Sequence, residues 1–358
     1  MRIESRPAGR LLRPLEKLCR ATACLAVACL AAAGSAFAQV EAREPVRIVS
    51  SAAVFPLAVA AGENFSLSSG KAMPIVARDG TERGLKLFCA GVGAEFFDIA
   101  TVARRMTRAE FGACSRNRVG VSEILFGYHG VALAQGLRNA PLALTRTQVF
   151  LALAKQVPIN GKLVANPYKL WSDLDFALPV KPIEVFGPPR RSPLRDNFVE
   201  LVMLPAAAEF AALRGLSSGE MRALAGTLRD DGAFVELGEG AAEVAAKLAR
   251  RPGALGIFGF NFLAGQRGGL QGVAIGGVAP SLATIADGSY SPARALYLYV
   301  KPAHAGAIPG LRGYLAEIAG EAASGPGGYL TGRGLTPLPA PGRADLRETT
   351  SRLPPLRL

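Results

Sequence analysis

The chain has 358 residues and half of them are hydrophobic, which is room for two domains and a large core. Its formal net charge is +13. The basic residues are scattered, without a Lys/Arg block or basic–aromatic interleaving, which argues against a nucleic-acid partner and leaves a small anionic solute or a solvated basic surface. No Ser-His-Asp set, carboxylate pair or metal cluster stands out, so neither an enzyme nor a bound metal or cofactor is expected.

The N-terminus reads as a targeting segment. Arg2, Arg6, Arg10, Arg13, Lys17 and Arg20 form a basic region, Ala21 to Ala33 an apolar one, and Ala36-Phe37-Ala38 a small-x-small cleavage site. Residues 1–38 are therefore expected to be a signal peptide cleaved after Ala38. The apolar run is short for a membrane span, and no later run of about 20 apolar residues replaces it. With the two acidic residues Glu4 and Glu16, the basic region carries +4, leaving about +9 for the rest. Cys19, Cys24 and Cys29 leave with the signal. Cys89 and Cys114 remain, and an even pair in an exported chain suggests one disulfide, contributing about 3 kcal/mol in the loop-entropy model. His129 and His304 are read as surface or packing residues.

Along the mature chain, strand and helix signals alternate. Val46 to Val49 is a β-branched run, followed by a helical stretch from Val54 to Phe65. Ile75 to Ala77 is a short strand, Gly80 to Leu87 a turn into a helix, and Phe97 to Val102 a buried strand. Ile124 to Ala134 is an apolar strand broken by Gly127 and Gly130. Thr147 to Lys155 is helical by period. Ile183 to Phe186 is strand-like and stops at Gly187-Pro188-Pro189. Ser192 then stands where a helix N-cap belongs, with Pro193 suited to the first helical position, and the helical period runs to Arg214. A loop feeding a helix start in this way is suited to holding an anion. Ala241 to Arg250 is a further helix, Ala254 to Phe260 a Gly-punctuated strand, Leu296 to Val300 a final strand and Gly310 to Ala319 a closing helix. Tyr168 and Trp171 are expected to pack, and Glu82 and Arg83 to form a solvated turn. Residues 340–358 are Pro- and Arg-rich and read as a poorly ordered tail. The alternation implies α/β architecture with mostly parallel sheet.

Several segments together resemble a known family. Gly187-Pro-Pro-Arg-Arg-Ser-Pro-Leu-Arg-Asp-Asn-Phe198 is similar to the Gly-Pro-Pro-x-x-Ser-Gly-Thr-Arg-Asp-x-Phe loop of periplasmic phosphate-binding proteins of ABC transporters. Ile48 to Pro56, Gly80 to Lys86 with Phe88-Cys-Ala-Gly91, Asp98 to Arg104, Val157 to Leu163, Asn166 to Lys169, Gly253 to Phe260, Tyr299 to Lys301 and Gly328 to Leu330 with Gly334-Leu335 also match, in order. The resemblance covers about Pro45 to Pro339. It implies a two-lobed periplasmic binding protein fold (type II), with mixed sheets flanked by helices and two crossing strands, near Ala132 and Tyr290. Lobe one would be 44–132 plus 291–339, and lobe two 133–290.

The resemblance also implies a function. A monomeric solute-binding protein of the periplasm would capture inorganic phosphate or a related oxyanion between its lobes and dock on an ABC permease in the inner membrane. The alternative is a non-transporting relative that has lost phosphate and acts through a protein partner. Carried over position by position, the ligand residues are Ser51 and Ala53 in the first loop, Thr81 in the second, Arg104 in the third, and Ser192, Leu194 and Arg195 in the fourth. Cys114 fits as the partner of Cys89. The chain departs from the family pattern at Ala52, Ala53, Ala103 and Leu194, where hydroxyls are usual, and at Pro193, which removes a backbone N–H.

Overall fold

The computed structural model describes residues 44–238, 240–265 and 269–357. The expected signal peptide lies outside the described residues.

Strand β1 (Arg47–Ser50) lies in parallel between β2 (Ile75–Arg78) and β3 (Ile99–Val102). The next strand, β4 (Ser122–Gly136), has 15 residues. At ~3.3 Å per residue it reaches about 50 Å, long enough to serve two halves of the sheet. Short ribbons and strands follow: β5 (Ala143–Leu144), β6 (Gln156–Ile159), β7 (Lys162–Ala165), β8 (Val185–Gly187), β9 (Phe234–Glu236), β10 (Leu255–Gly259), β11 (Leu270–Gly272) and β12 (Ala274–Ile275). Strand β13 (Ala293–Val300) returns to the first half. The main order is β2-β1-β3-β13-β4-β10-β8-β9, with β11 beside β4.

The result is an α/β, two-lobed molecule with mixed sheets, and β4 is common to both lobes. From Ser122 to Gly130 it pairs antiparallel with β13, and from Val131 to Ala134 with β10. Tyr290 seals the changeover: its hydroxyl donates to the Val131 carbonyl at 3.1 Å, and the Val131 N–H donates to Pro292 at 3.0 Å.

Gly127 and Gly130 do not break β4. Gly127 leaves room for the chain's C-terminal part, since a Cβ there would lie 2.4 Å from Leu335 Cδ1. The neighbouring Tyr128 exchanges two backbone hydrogen bonds with Thr336, at 2.8 and 2.9 Å. The pairing with β13 shifts register between Leu296 and Tyr297, a bulge that leaves Phe126 as the extra residue.

Each lobe has its own apolar core. In the first, Val49, Leu85, Phe88, Ala100, Met106, Val121 and Tyr299 cluster with Cys89 and Cys114, and these two cysteines form the disulfide. In the second, Phe186 and Phe258 cluster with Val244 and Leu248 of the helix Ala241–Arg250. His304 is buried and holds Asp98, and Trp171 is buried in the second lobe. Arg83 pairs with Asp79 on the surface.

Two segments differ from the sequence reading. The helix from Pro193 stops at Glu209 rather than Arg214, because Phe210 is extended. It passes through a wide π turn at Val199–Met203. Pro205 explains this: it has no N–H to give, and its ring crowds the carbonyl one turn back. Residues 340–357 are not a loose tail. Ala340–Arg352 is a helix lying against the helix Leu311–Ala319. Leu346 and Leu353 are buried, each contributing about 1.5–3 kcal/mol. Arg343 and Arg347 both reach Glu321, at 3.0 and 2.8 Å. Beyond the helix, the Leu356 N–H donates to the Val121 carbonyl at 2.7 Å. Proline near the helix start is favourable, so the composition that suggested disorder is here compatible with a docked helix.

Candidate functional site

The loop after β8 is built as its residues dictate. Ser192 is buried and caps the helix Pro193–Phe198, its Oγ accepting the Arg195 N–H at 3.1 Å. The Asp196 N–H goes to the Ser192 carbonyl and Pro193 has none to offer, so the first turn leaves the Leu194 amide. Arg195 turns away into the lobe. Its Nη1 donates to the Pro188 carbonyl at 3.2 Å, its guanidinium lies 4.6 Å from the centre of the Phe234 ring, and Glu236 stands at 3.7 Å. Burial lowers its pKa from the ordinary arginine value, and Glu236 opposes this.

In front of this loop lies a cleft of about 470 Å³. One wall comes from the second lobe, with Pro188, Ser192, Pro193, Leu194, Ala241, Asn261 and Phe262. The other comes from Pro56, at the start of the helix Phe55–Ser69, and from the turn Thr331–Gly334. His129 on β4 forms part of the lining with Asn197.

A polar chain ties these parts together. Glu200 accepts from Arg294 Nη2 at 3.0 Å, and the same nitrogen donates to Asn197 Oδ1 at 3.0 Å. Asn197 Nδ2 faces His129 Nε2 at 3.1 Å. Arginine can only donate, so Asn197 must turn its oxygen to Arg294 and its NH₂ to His129. The imidazole Nε2 is then an acceptor, and the neutral ring carries its proton on Nδ1. Burial, with Arg294 adding and Glu200 opposing, lowers the His129 pKa to about 4. Arg294 and His129 are register partners across β13 and β4. A second tie crosses the cleft, where Asn261 Nδ2 donates to the Thr331 carbonyl at 2.7 Å.

Of the residues expected at the ligand, Ser192 and Leu194 line this cleft, and the others lie outside its lining. Ser51 is buried at the end of β1, and its Oγ has no hydrogen-bond partner among the described residues. Ala53 is half-buried in the following turn, and Thr81 half-buried at the start of the helix Thr81–Phe88. Arg104 makes a two-pronged pair with Glu110, at 2.7 and 2.9 Å. This pairing holds the Glu110 carboxyl down to about 2. Glu110 also completes the capping box of the helix Arg108–Arg116 with Thr107. Sequence reasoning missed His129 as a cleft residue, and missed Asn197, Asn261 and Arg333. Among the described residues, no group of three or more His, Cys, Asp and Glu could hold a metal ion, and no helix is long and apolar enough to cross a membrane.

Comparison with known proteins agrees with this architecture. A family model described as the PBP superfamily domain matches residues 33–322. Protein SphX of Synechococcus elongatus is 25% identical over 256 residues, covering 70% of this chain and 66% of the relative. The chain thus spans just under two thirds of that relative's length. Protein SphX of Synechocystis sp. is 25% identical over 287 residues, covering 78% and 76%. Among solved structures, a possible phosphate binding protein from Planctomyces limnophilus superposes with a TM-score of 0.65 at 20% identity, over 88% of this chain and 99% of that one. PstS from Borrelia burgdorferi gives 0.53 at 14% identity, over 83% and 100%. These two likenesses show the fold.

Proposed function

The chain belongs to the PBP superfamily, and from that premise we propose that it is an exported solute-binding protein that captures phosphate or a related oxyanion in the cleft. The observation that carries this reading is the cleft itself. It is walled by both lobes, bordered by the Ser192 loop, and has Arg333 as its one charged lining residue among the described residues. A carboxylate in the lining would repel an anion, and none lines it among the described residues. The mature protein would begin at Gln39 in the periplasm as a monomer and pass its solute to an ABC permease.

Calorimetry and thermal unfolding of the purified mature protein test the proposal. Ligand at 100 times its dissociation constant raises stability by about 2.7 kcal/mol. A saturable heat and a rising midpoint with an oxyanion are expected. A flat response to millimolar phosphate, sulfate and phosphonates would sink it. A second reading, a non-transporting relative working through a protein partner, is favoured by Arg104 and Arg195. Both expected ligand cations are held by partners within the protein. Under that reading no small anion shifts the midpoint.

A further inference from the structure

Resting on the reading of the cleft as an oxyanion site, we infer that its solute is an organic oxyanion: a phosphonate or phosphate monoester with a small apolar substituent, rather than the bare inorganic ion. The first argument is size. A tetrahedral oxyanion has five heavy atoms and displaces only a few waters, at about 30 Å³ each. The cleft holds about 470 Å³, within the roughly 300–1,000 Å³ of pockets for small organic ligands.

The second argument is the supply of donors. An isolated ion must be met by hydrogen bonds on every side, because stripping its water is otherwise too costly. Here the polar side chains of the lining are in part committed within the protein. Asn197 Nδ2 faces His129, Asn261 Nδ2 is held by Thr331, and the Thr331 hydroxyl donates to the Gly328 carbonyl at 2.7 Å. Ser192 Oγ accepts its own helix amide. What remains among the described residues is Arg333, exposed and without an ion-pair partner, together with backbone amides, the Ser192 hydroxyl proton, the second N–H of the Asn197 and Asn261 amides and the His129 Nδ1 proton, which has no partner. That set carries a single charge, at Arg333, which suits one anionic end of a ligand.

The third argument is what fills the rest of the wall. Leu194, Phe262, Pro56 and Pro193 present apolar surface. The Phe262 ring is fixed by parallel stacking on Phe258, with centroids 5.4 Å apart and planes 5° off parallel. A solute with its oxyanion at Arg333 and its carbon substituent against Phe262 and Leu194 uses both parts.

The test is titration calorimetry of the protein with inorganic phosphate, methylphosphonate and phenylphosphonate. Affinity is expected to rise along that series, with phenylphosphonate at least tenfold tighter than phosphate. Arg333→Gln should weaken all bound ligands by tenfold or more. Leu194→Thr, which adds a hydroxyl, should narrow the phosphonate preference without unfolding the loop. Phe262→Ala should weaken phenylphosphonate more than phosphate, read only if the variant keeps the parent's circular dichroism. Phosphate binding as tightly as phenylphosphonate, or a preference untouched by Leu194→Thr, overturns the inference and leaves the oxyanion reading standing. No binding of any of the three defeats both.

Discussion

The loop after β3 and the loop after β8 invite comparison, because each leaves the end of a parallel strand and each brings an arginine expected to meet the solute. In both, a nearer partner has taken the arginine. Arg104 is clamped by Glu110 near the surface, with 43% of its side chain exposed. Arg195 is sunk in the second lobe against Phe234 and the Pro188 carbonyl, with 3% exposed. The difference is physical. The first arginine satisfies a carboxylate that already caps a helix, while the second fills space and holds a loop closed. A local partner within the protein competes with any ligand, so motif membership alone does not make an arginine a ligand.

The largest expected effect lies on the first side. The Cys89–Cys114 bond joins the segments flanking the β3 loop, whereas the Ser192 loop has no disulfide among the described residues. The double variant Cys89→Ala/Cys114→Ala should lose about 3 kcal/mol by the loop-entropy model. Urea unfolding measures this, and an unchanged midpoint would show that the first lobe is held by its core alone.

Acid separates the two regions by window. His129 stands behind the Ser192 helix with its pKa lowered from 6.5 to about 4. The unfolded chain binds the proton more readily, so this contribution is complete above about 6.5 and is lost as pH falls towards 4. Glu110, lowered from 4.5 to about 2 by Arg104, contributes fully above about 4.5 and loses its share only as pH falls towards 2. Stability should therefore fall in two acid steps. His129→Gln should flatten the upper one and Glu110→Gln the lower. A single step unaffected by His129→Gln would mean that the buried chain through Asn197 does not govern it.

How much of this was legible beforehand depends on whether the signal was local. The helix Ala241–Arg250 and the strand near Phe97 to Val102 were readable, because their periods and stop signals lie within the segment. The Ser192 cap was readable for the same reason. The C-terminal helix was not, since Leu346 and Leu353 have apolar partners elsewhere in the chain. Nor was the chain from Glu200 to His129. Arg294 reaches it only because β13 places that residue opposite His129 on β4, and nothing around Arg294 in sequence signals that register. Arg333 sits in a short turn with no pattern of its own.

The two arginines themselves give the smaller effects. Arg195→Ala removes a buried side chain, leaves the Pro188 carbonyl without its donor and bares the Phe234 face, so a loss of about 2 kcal/mol is expected. Arg104→Ala removes a mostly solvated ion pair, for which about 0.5 kcal/mol is the ordinary scale. Its more telling readout is affinity. With Arg104 held by Glu110, the variant should bind phenylphosphonate within about threefold of the parent, a change worth only about 0.6 kcal/mol. Should affinity instead fall tenfold or more while the unfolding midpoint barely moves, Arg104 would have to leave Glu110 when solute arrives. The loop after β3 would then be a ligand loop, unlike the loop that holds Arg195.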